Sequence, residues 1–248
     1  MSVPPGFTIT TECCDRYCND ASWDKGLPEP LWEVIVSSID GVQDEMQSEF
    51  GSPENPLLLS VRSGAAISMP GMVSIKYGEQ NFANRFFCEL YSCRVENFKS
   101  NDMLCFLKMD TVLNLGMNDK VVEGLAKKTE NPRFAWDSYR RFLEMFGNVV
   151  LEIPRSLFED ELDDIKYEKG VNEDSDLSAE DLQELVVRFK SVYEGKGLSF
   201  PQDVYEQLKL SIGAVFNGWM GARAIKYREV ENIRDLLGTA VSIMLFQN

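Results

Sequence analysis

Two short apolar runs near opposite ends of the chain, with a middle rich in helical periodicity between them, predict a mixed α/β (α+β) fold for these 248 residues. The runs are LLLSV at 57–61 and GTAVSIMLF at 238–246, each bounded by turn-forming residues and each short enough to be a strand. Taken in chain order, the first helical pattern is Trp32, Ile35, Ile39, Val42, Met46 and Phe50, set after Pro28 and Pro30 and before Gly51 and Pro53. It predicts an amphipathic helix over 30–50. LLLSV follows, flanked by Pro56 and by the small residues Ser63, Gly64, Ala65 and Ala66, as a buried strand running into a tight loop.

Residues 134–146, FAWDSYRRFLEMF, place Tyr139, Phe142, Leu143 and Phe146 on one helical face and leave the Arg140–Arg141 pair near its edge. Residues 155–180 carry Asp160, Glu161, Asp163, Asp164, Glu173, Asp174 and Asp176, and they lack the alternating acidic pattern of a calcium loop. A solvated face or loop is the expectation there. Ser178 then opens a capping-box variant with Asp181 at the third position, leading a helix with Leu182, Leu185, Val186, Phe189 and Val192 in register. A further helix after Pro201 lines up Leu208, Ile212, Val215, Phe216 and Trp219. GTAVSIMLF closes the series as a strand.

The balance of 25 Lys+Arg against 40 Asp+Glu gives a net charge of −15, which argues against binding a nucleic-acid backbone. With no histidine, the chain contains no Ser-His-Asp or Cys-His pair, no His-ligated zinc and no His phosphoryl carrier. Cys13, Cys14, Cys18, Cys88, Cys93 and Cys105 are irregularly spaced, so free thiols in a reducing compartment are expected. Cys14 and Cys18 form a C-x3-C pair without the further thiolates of a zinc site, and no metal ligand is assigned. No run approaches the ~18 to 20 apolar residues of a membrane span, and MSVPPGFTITTECC lacks a basic region followed by an apolar run. A soluble protein with no membrane partner and no visible targeting peptide is the expectation.

Residues 73–108 differ from the rest: their five Lys+Arg and four Asp+Glu give +1, whereas the remaining 212 residues carry 20 − 36 = −16. They hold three of the six cysteines and five phenylalanines, no proline, and no helical or alternating period. They read either as an unusual insertion or as sequence not selected to fold.

The densest functional signal is SVRSGAAISMPGM at 60–72. A strand here delivers one cation, Arg62, into a loop of small residues whose backbone amides can approach an anion. The guanidinium fork suits phosphate oxygens. By itself the pattern is weak, since an arginine at a strand end is more often in a structural ion pair, and the spacing matches neither the Walker A loop nor the dinucleotide fingerprint.

That run, followed by MDTVLNLGMND at 109–119, ENPRFAWDSYRRFLEMFGNVV at 130–150, WMGARAIKYR at 219–228 and GTAV at 238–241, resembles the N-terminal nucleotide-binding region of the pyruvate, phosphate dikinase family. SVPPGFTITTE upstream is similar to the same family, and IPRSLFEDEL resembles its plant form. The resemblance implies an ATP-grasp-like domain that binds Mg-ATP. It also implies a reaction in which ATP, pyruvate and phosphate give AMP, phosphoenolpyruvate and diphosphate, by way of a histidine on a separate swivelling domain. By position, Arg62 and Arg141 match family arginines at the ATP phosphates, with a helix-surface ion pair as the alternative for Arg141. Asp110 and Thr111 receive no role, and no residue is assigned as catalytic.

Four departures from the family bear on activity. The glycine-rich segment with its ATP-contacting lysine has no counterpart here. Residues 73–108 interrupt the join between Met72 and Met109, and a retained intron would explain them. GTAVSIMLFQN is shorter than the family strand, so a frayed or mis-registered strand is expected. The acidic half of the ATP site, the histidine domain and the pyruvate-binding barrel are not represented. The expected organisation is therefore 1–72 as the first part of an incomplete ATP-grasp-like domain, 73–108 as insertion, and 109–248 as its continuation with a helical subdomain and a terminal strand. The expected function is ATP binding with no turnover by the fragment alone, in the chloroplast stroma or cytoplasm, as a homo-oligomer or in association with a full-length dikinase. The alternative is a noncatalytic acidic interaction protein or a degenerate gene product.

Overall fold

One face of a four-stranded antiparallel sheet is covered by helices and the other is left open among the described residues. In the computed structural model, which describes residues 4–23, 26–64, 111–234 and 236–246, the chain begins with β1 (Gly6–Ile9), α1 (Thr11–Asn19), α2 (Glu29–Met46), β2 (Glu49–Phe50), β3 (Pro56–Leu57) and β4 (Leu59–Gly64). It continues with β5 (Thr111–Leu115), α3 (Asp119–Thr129), α4 (Pro132–Val149), α5 (Arg155–Lys169), α6 (Ala179–Gly195), α7 (Val204–Trp219), α8 (Ala222–Val230) and β6 (Ala240–Leu245). The sheet order is β1-β6-β4-β5, with every neighbouring pair antiparallel, while β2 and β3 make a small parallel pair.

Strand side chains alternate between faces, and burial follows that alternation along the middle of β6, while Leu59, Ser60 and Val61 of β4 are all buried. Val61, Val112, Val241 and Ile243 are at most 1% exposed and point toward the helices. α7 packs on β4 and β5, α4 on β5, α1 on β6 and α2 on β1. Tyr17 of α1 meets Phe216 of α7 with ring centroids 5.2 Å apart, which ties the first helix to the sheet cover.

The helical layer has its own core. Phe200 sits among Tyr139, Phe142, Phe146 and Tyr193 at centroid distances of 5.5–6.0 Å, in the edge-on arrangements aromatic rings prefer. Phe158 and Phe189 join α5 to α6 at 5.1 Å. Gly147 makes this approach possible, since a Cβ there would lie 2.6 Å from the Phe158 ring and 2.9 Å from the Tyr193 hydroxyl. Gly124 does the same for α3, whose backbone comes so close to Pro53 that a Cβ would collide with its carbonyl.

Polar side chains mark the helix starts. Asn118 accepts from Lys120 and Val121 at α3, Asn131 caps α4 ahead of Pro132, and Asp203 accepts from Tyr205 and Glu206 at α7. The Ser178–Asp181 capping box forms with both of its hydrogen bonds, as its spacing predicts.

Three expectations need correction. The helix expected over 30–50 stops at Met46, because Gln47 turns left-handed at φ 53° and side chains take over the next backbone groups: Phe50 N–H donates to Gln43 Oε1, and the Asn55 amide donates to the Gln47 carbonyl. Phe50 then pairs in β2. The acidic run over 155–180 is not merely a solvated face or loop. It contains α5, with Phe158 and Ile165 fully buried, and a 3-10 turn at Asp174–Asp176 held by cations from α4 and α5. Finally, β6 is not frayed, since it lies between β1 and β4 with continuous register to both. Residues 65–72 of the loop motif and the expected insertion 73–108 lie outside the described residues.

Candidate functional site

On the open face of the sheet, register places Thr8, Ser242, Arg62 and Thr111 in one row across all four strands. Residues directly opposite in an antiparallel ladder share a face, so the row presents a guanidinium flanked by three hydroxyl groups. Thr8 Oγ1 and Ser242 Oγ are 3.2 Å apart. Arg62 is exposed, and among the described residues no carboxylate pairs with it. The adjoining positions, Gly64 and Ala240, are small: a Cβ built on Gly64 would be 3.9 Å from both Ala240 Cβ and Ser242 Oγ. The result is a shallow platform rich in hydrogen-bond donors beside one cation.

The neighbouring arginines Arg140 and Arg141 separate cleanly. Arg140 has a side chain only 5% exposed and is committed to Asp137 at 2.8 Å, Asp174 at 2.9 Å and Glu144 at 3.8 Å. Arg133 supports the same turn, donating to the carbonyls of Leu177 and Asp174. Burial alone would raise the Asp174 carboxyl, but Arg140 and Lys166 outweigh it and hold its pKa below the usual range. Arg141 instead points outward, 63% exposed, with Asp137 at 2.8 Å one turn back. Among the described interactions, nothing joins Arg62 on β4 to Arg141 on α4.

Asn114 lies between the elements that carry them. At φ 59° it adopts the left-handed backbone that asparagine tolerates better than most residues, and its buried amide reaches the Ser138 carbonyl of α4 at 3.5 Å. Its Oδ1 is buried without a hydrogen-bond partner in the structure. One turn further on, β5 is anchored by Gln207 of α7, which is fully buried. The Gln207 amide accepts from Gly116 N–H at 3.2 Å and donates to the carbonyls of Met117 and Pro201 at 2.9 and 2.8 Å. Neither residue stands out in the sequence, because a lone Asn or Gln carries no pattern.

The partners of Arg62 were equally hidden, since Thr8 and Ser242 are 234 residues apart. The one signal available was the alternation within β6, where Val241 and Ile243 are buried and Ala240, Ser242 and Met244 are not. The arrangement can hold an anion. Among the described residues no group of three or more carboxylate or thiol ligands converges on a metal position. Of the described cysteines, Cys14 is the most buried, and burial pushes its thiol up to about 12, which suits packing rather than nucleophilic attack. No helix among the described residues is long and apolar enough to cross a membrane.

No family model matches the chain. Curated relatives do, over its whole length. The chloroplastic pyruvate, phosphate dikinase of Flaveria trinervia is 49% identical over 251 aligned residues, and the chloroplastic pyruvate, phosphate dikinase 1 of Zea mays is 47% identical over the same span. Pyruvate, phosphate dikinase 2 of Oryza sativa subsp. japonica is 46% identical. Each match covers 100% of this chain but only 22% to 24% of the relative's length.

Proposed function

Because this chain is homologous over its full length to one part of plant pyruvate, phosphate dikinase, we propose that it is the phosphate-holding portion of an ATP-grasp-like Mg-ATP site. The row of Thr8, Ser242, Arg62 and Thr111 carries this reading. Phosphoryl transfer asks a protein mainly to position the phosphates and offset their charge. Arg62 supplies a fork of donors with no carboxylate competing for it among the described residues, and the hydroxyls supply neighbours that can donate to phosphate oxygens. Arg141 is the second phosphate contact. Its guanidinium is 63% exposed, and Asp137, its partner one turn back, is also paired with Arg140, so a phosphate can draw Arg141 away without leaving that carboxylate unpaired.

Magnesium fits this portion poorly. The row offers a cation and hydroxyls where the metal prefers carboxylates and water, and no ligand set of three or more acids lies among the described residues. The metal would arrive with the nucleotide. The dikinase reaction passes a phosphoryl group through a histidine on its way from ATP to pyruvate. These 248 residues contain no histidine, so they supply no residue for that relay. In association with a full-length dikinase, in the chloroplast stroma or cytoplasm, the chain would contribute nucleotide affinity alone.

Residues 1–72 and 109–248 belong to one nucleotide-binding unit interrupted by 73–108. The pairing of β4 with β5 supports this. Gly64 ends one strand and Thr111 begins its antiparallel neighbour, so 110 − 64 = 46 residues leave and return to the same place in the sheet. Removing 36 would leave 10, still enough to join adjacent antiparallel strands.

Titration calorimetry with Mg-ATP tests the site. The wild-type chain is expected to give binding heat that Arg62→Ala abolishes and Arg141→Ala weakens. Absence of heat with the wild-type chain, or equal heat with Arg62→Ala, would overturn the assignment.

A further inference from the structure

At the corner where α3 gives way to α4, Ala126, Pro132 and Trp136 line a shallow, open depression of about 480 Å³, over which one long side chain can lie. Its rim carries Glu123, Lys127 and Glu130, and Gln183 of α6 faces them across the opening. Trp136 is partly exposed, with its ring tilted against Tyr139 at a centroid distance of 6.3 Å.

Acids on the helices divide into paired and unpaired ones, and the two at this corner belong with the unpaired, as do Glu33, Asp40 and Glu194 elsewhere among the described residues. Asp137, Glu144, Glu168, Asp174, Asp181 and Glu184 each have an arginine or lysine partner. Glu123 and Glu130 have none among the described residues. Glu130 also stands at the C-terminal cap of α3, in the left-handed conformation at φ 51°. The carbonyl end of a helix already carries partial negative charge, and a carboxylate there is electrostatically misplaced unless a cation answers it. Lys127 offsets one of the two acids, and Lys128 is turned away to Asn55. Two carboxylates and a helix C-terminus against one ammonium leave the rim negative.

A negative rim around an indole face repels phosphates and carboxylates and attracts an organic cation. Between the two common ones, guanidinium fits better: it is flat enough to stack on the indole and can bond a carboxylate through two parallel N–H groups. We propose that this depression is a docking site for an arginine side chain on a basic segment of a partner protein. The stem lies along Ala126 and Pro132, the guanidinium stacks on Trp136, and Glu123 and Glu130 receive its N–H groups. The net charge of −15 draws such a segment toward the chain before it docks. This site is independent of the nucleotide row and does not rest on it.

The test is titration of the isotope-labelled full chain with the peptide acetyl-Gly-Arg-Gly-amide, following the Trp136 indole N–H and the backbone amides of Glu130 and Gln183 by NMR. Saturable shifts confined to this corner are expected. The citrulline version of the peptide, equal in shape but uncharged, is expected to give none. Trp136→Ala should weaken binding by about fivefold or more. The Glu123→Gln/Glu130→Gln pair, on an exposed rim where loss of fold is not at issue, should weaken it by a similar factor. No shifts at this corner, equal response to the citrulline peptide, or unchanged affinity in the Gln pair would each overturn the proposal.

Discussion

Phe142, Phe146, Phe158 and Phe189 in the helical layer are fully withdrawn from solvent, while on the open face of the sheet Thr8 and Arg62 stand exposed among small neighbours. The first region is held by apolar burial and edge-on aromatic contacts, so its side chains are replaceable only at the expense of stability. The second stabilises little, so its residues are free to be chosen for what they bind. Gln207 and Asn114 belong to neither class. They are polar groups that fasten the sheet to the helices and so transmit rigidity from one region to the other.

The sharpest way to break this contrast is to damage both sides and compare. Phe158→Ala should destabilise the chain by ~3–5 kcal/mol, the range for truncating a buried phenylalanine, and urea unfolding would read it. Gln207→Leu should come next, because it leaves Gly116 N–H and two carbonyls unpaired inside the core. One unsatisfied group costs ~1–3 kcal/mol, and where water or a shifted neighbour satisfies the other two the total stays just under that of the phenylalanine. Ser178→Ala removes the capping box of α6 and should cost ~1 kcal/mol. Arg62→Ala should change stability by less than ~0.5 kcal/mol while removing the nucleotide heat. An Arg62→Ala variant that unfolds as easily as Phe158→Ala would erase the distinction.

Acid titration sharpens it further. Asp181 is held below the usual carboxylate range by Lys169 and by the Ser178 hydroxyl and amide, and Asp174 is lowered because Arg140 and Lys166 outweigh its burial. A lowered folded pKa means the contribution is complete above the unfolded value near ~4 and is lost as pH falls through the folded one. Stability should therefore be flat from about pH 5 to 8, where a chain without histidine has no side chain with an ordinary pKa, and decline below about pH 4. Asp174→Asn should flatten part of that decline. A midpoint that moved between pH 5 and 8 would contradict this account.

Much of the helical layer was legible because burial there follows a single period. Leu182, Leu185, Val186 and Phe189 repeat at helical spacing and are all buried. α5 escaped because only Phe158, Leu162 and Ile165 are buried in a fifteen-residue helix otherwise dominated by charge. The four residues of β1 are too few to establish an alternation, and neither α1 nor α3 was anticipated. At the site, Arg62 could be placed at a strand end from its neighbours alone. Its flanking hydroxyls could not, because they come from strands that only the fold makes adjacent. Arg140 and Arg141 illustrate the same limit: adjacent residues on a helix point about 100° apart, and only packing decides which one is enclosed.

The position of β6 has a consequence for how the protein is made. Residues 240–245 fill the gap between β1 and β4, so Gly6–Ile9 lack their partner strand until that segment has left the ribosome. The helices from α3 to α7 can pack during synthesis, since their contacts are comparatively local, whereas pairing Thr8 with Ser242 closes a very long loop and belongs to the slowest steps of folding. The row of Thr8, Ser242, Arg62 and Thr111 is thus assembled after the helical layer. A nascent chain stalled before residue 240 would carry its aromatic core while its first strand still presented unpaired edges to whatever waited at the tunnel exit.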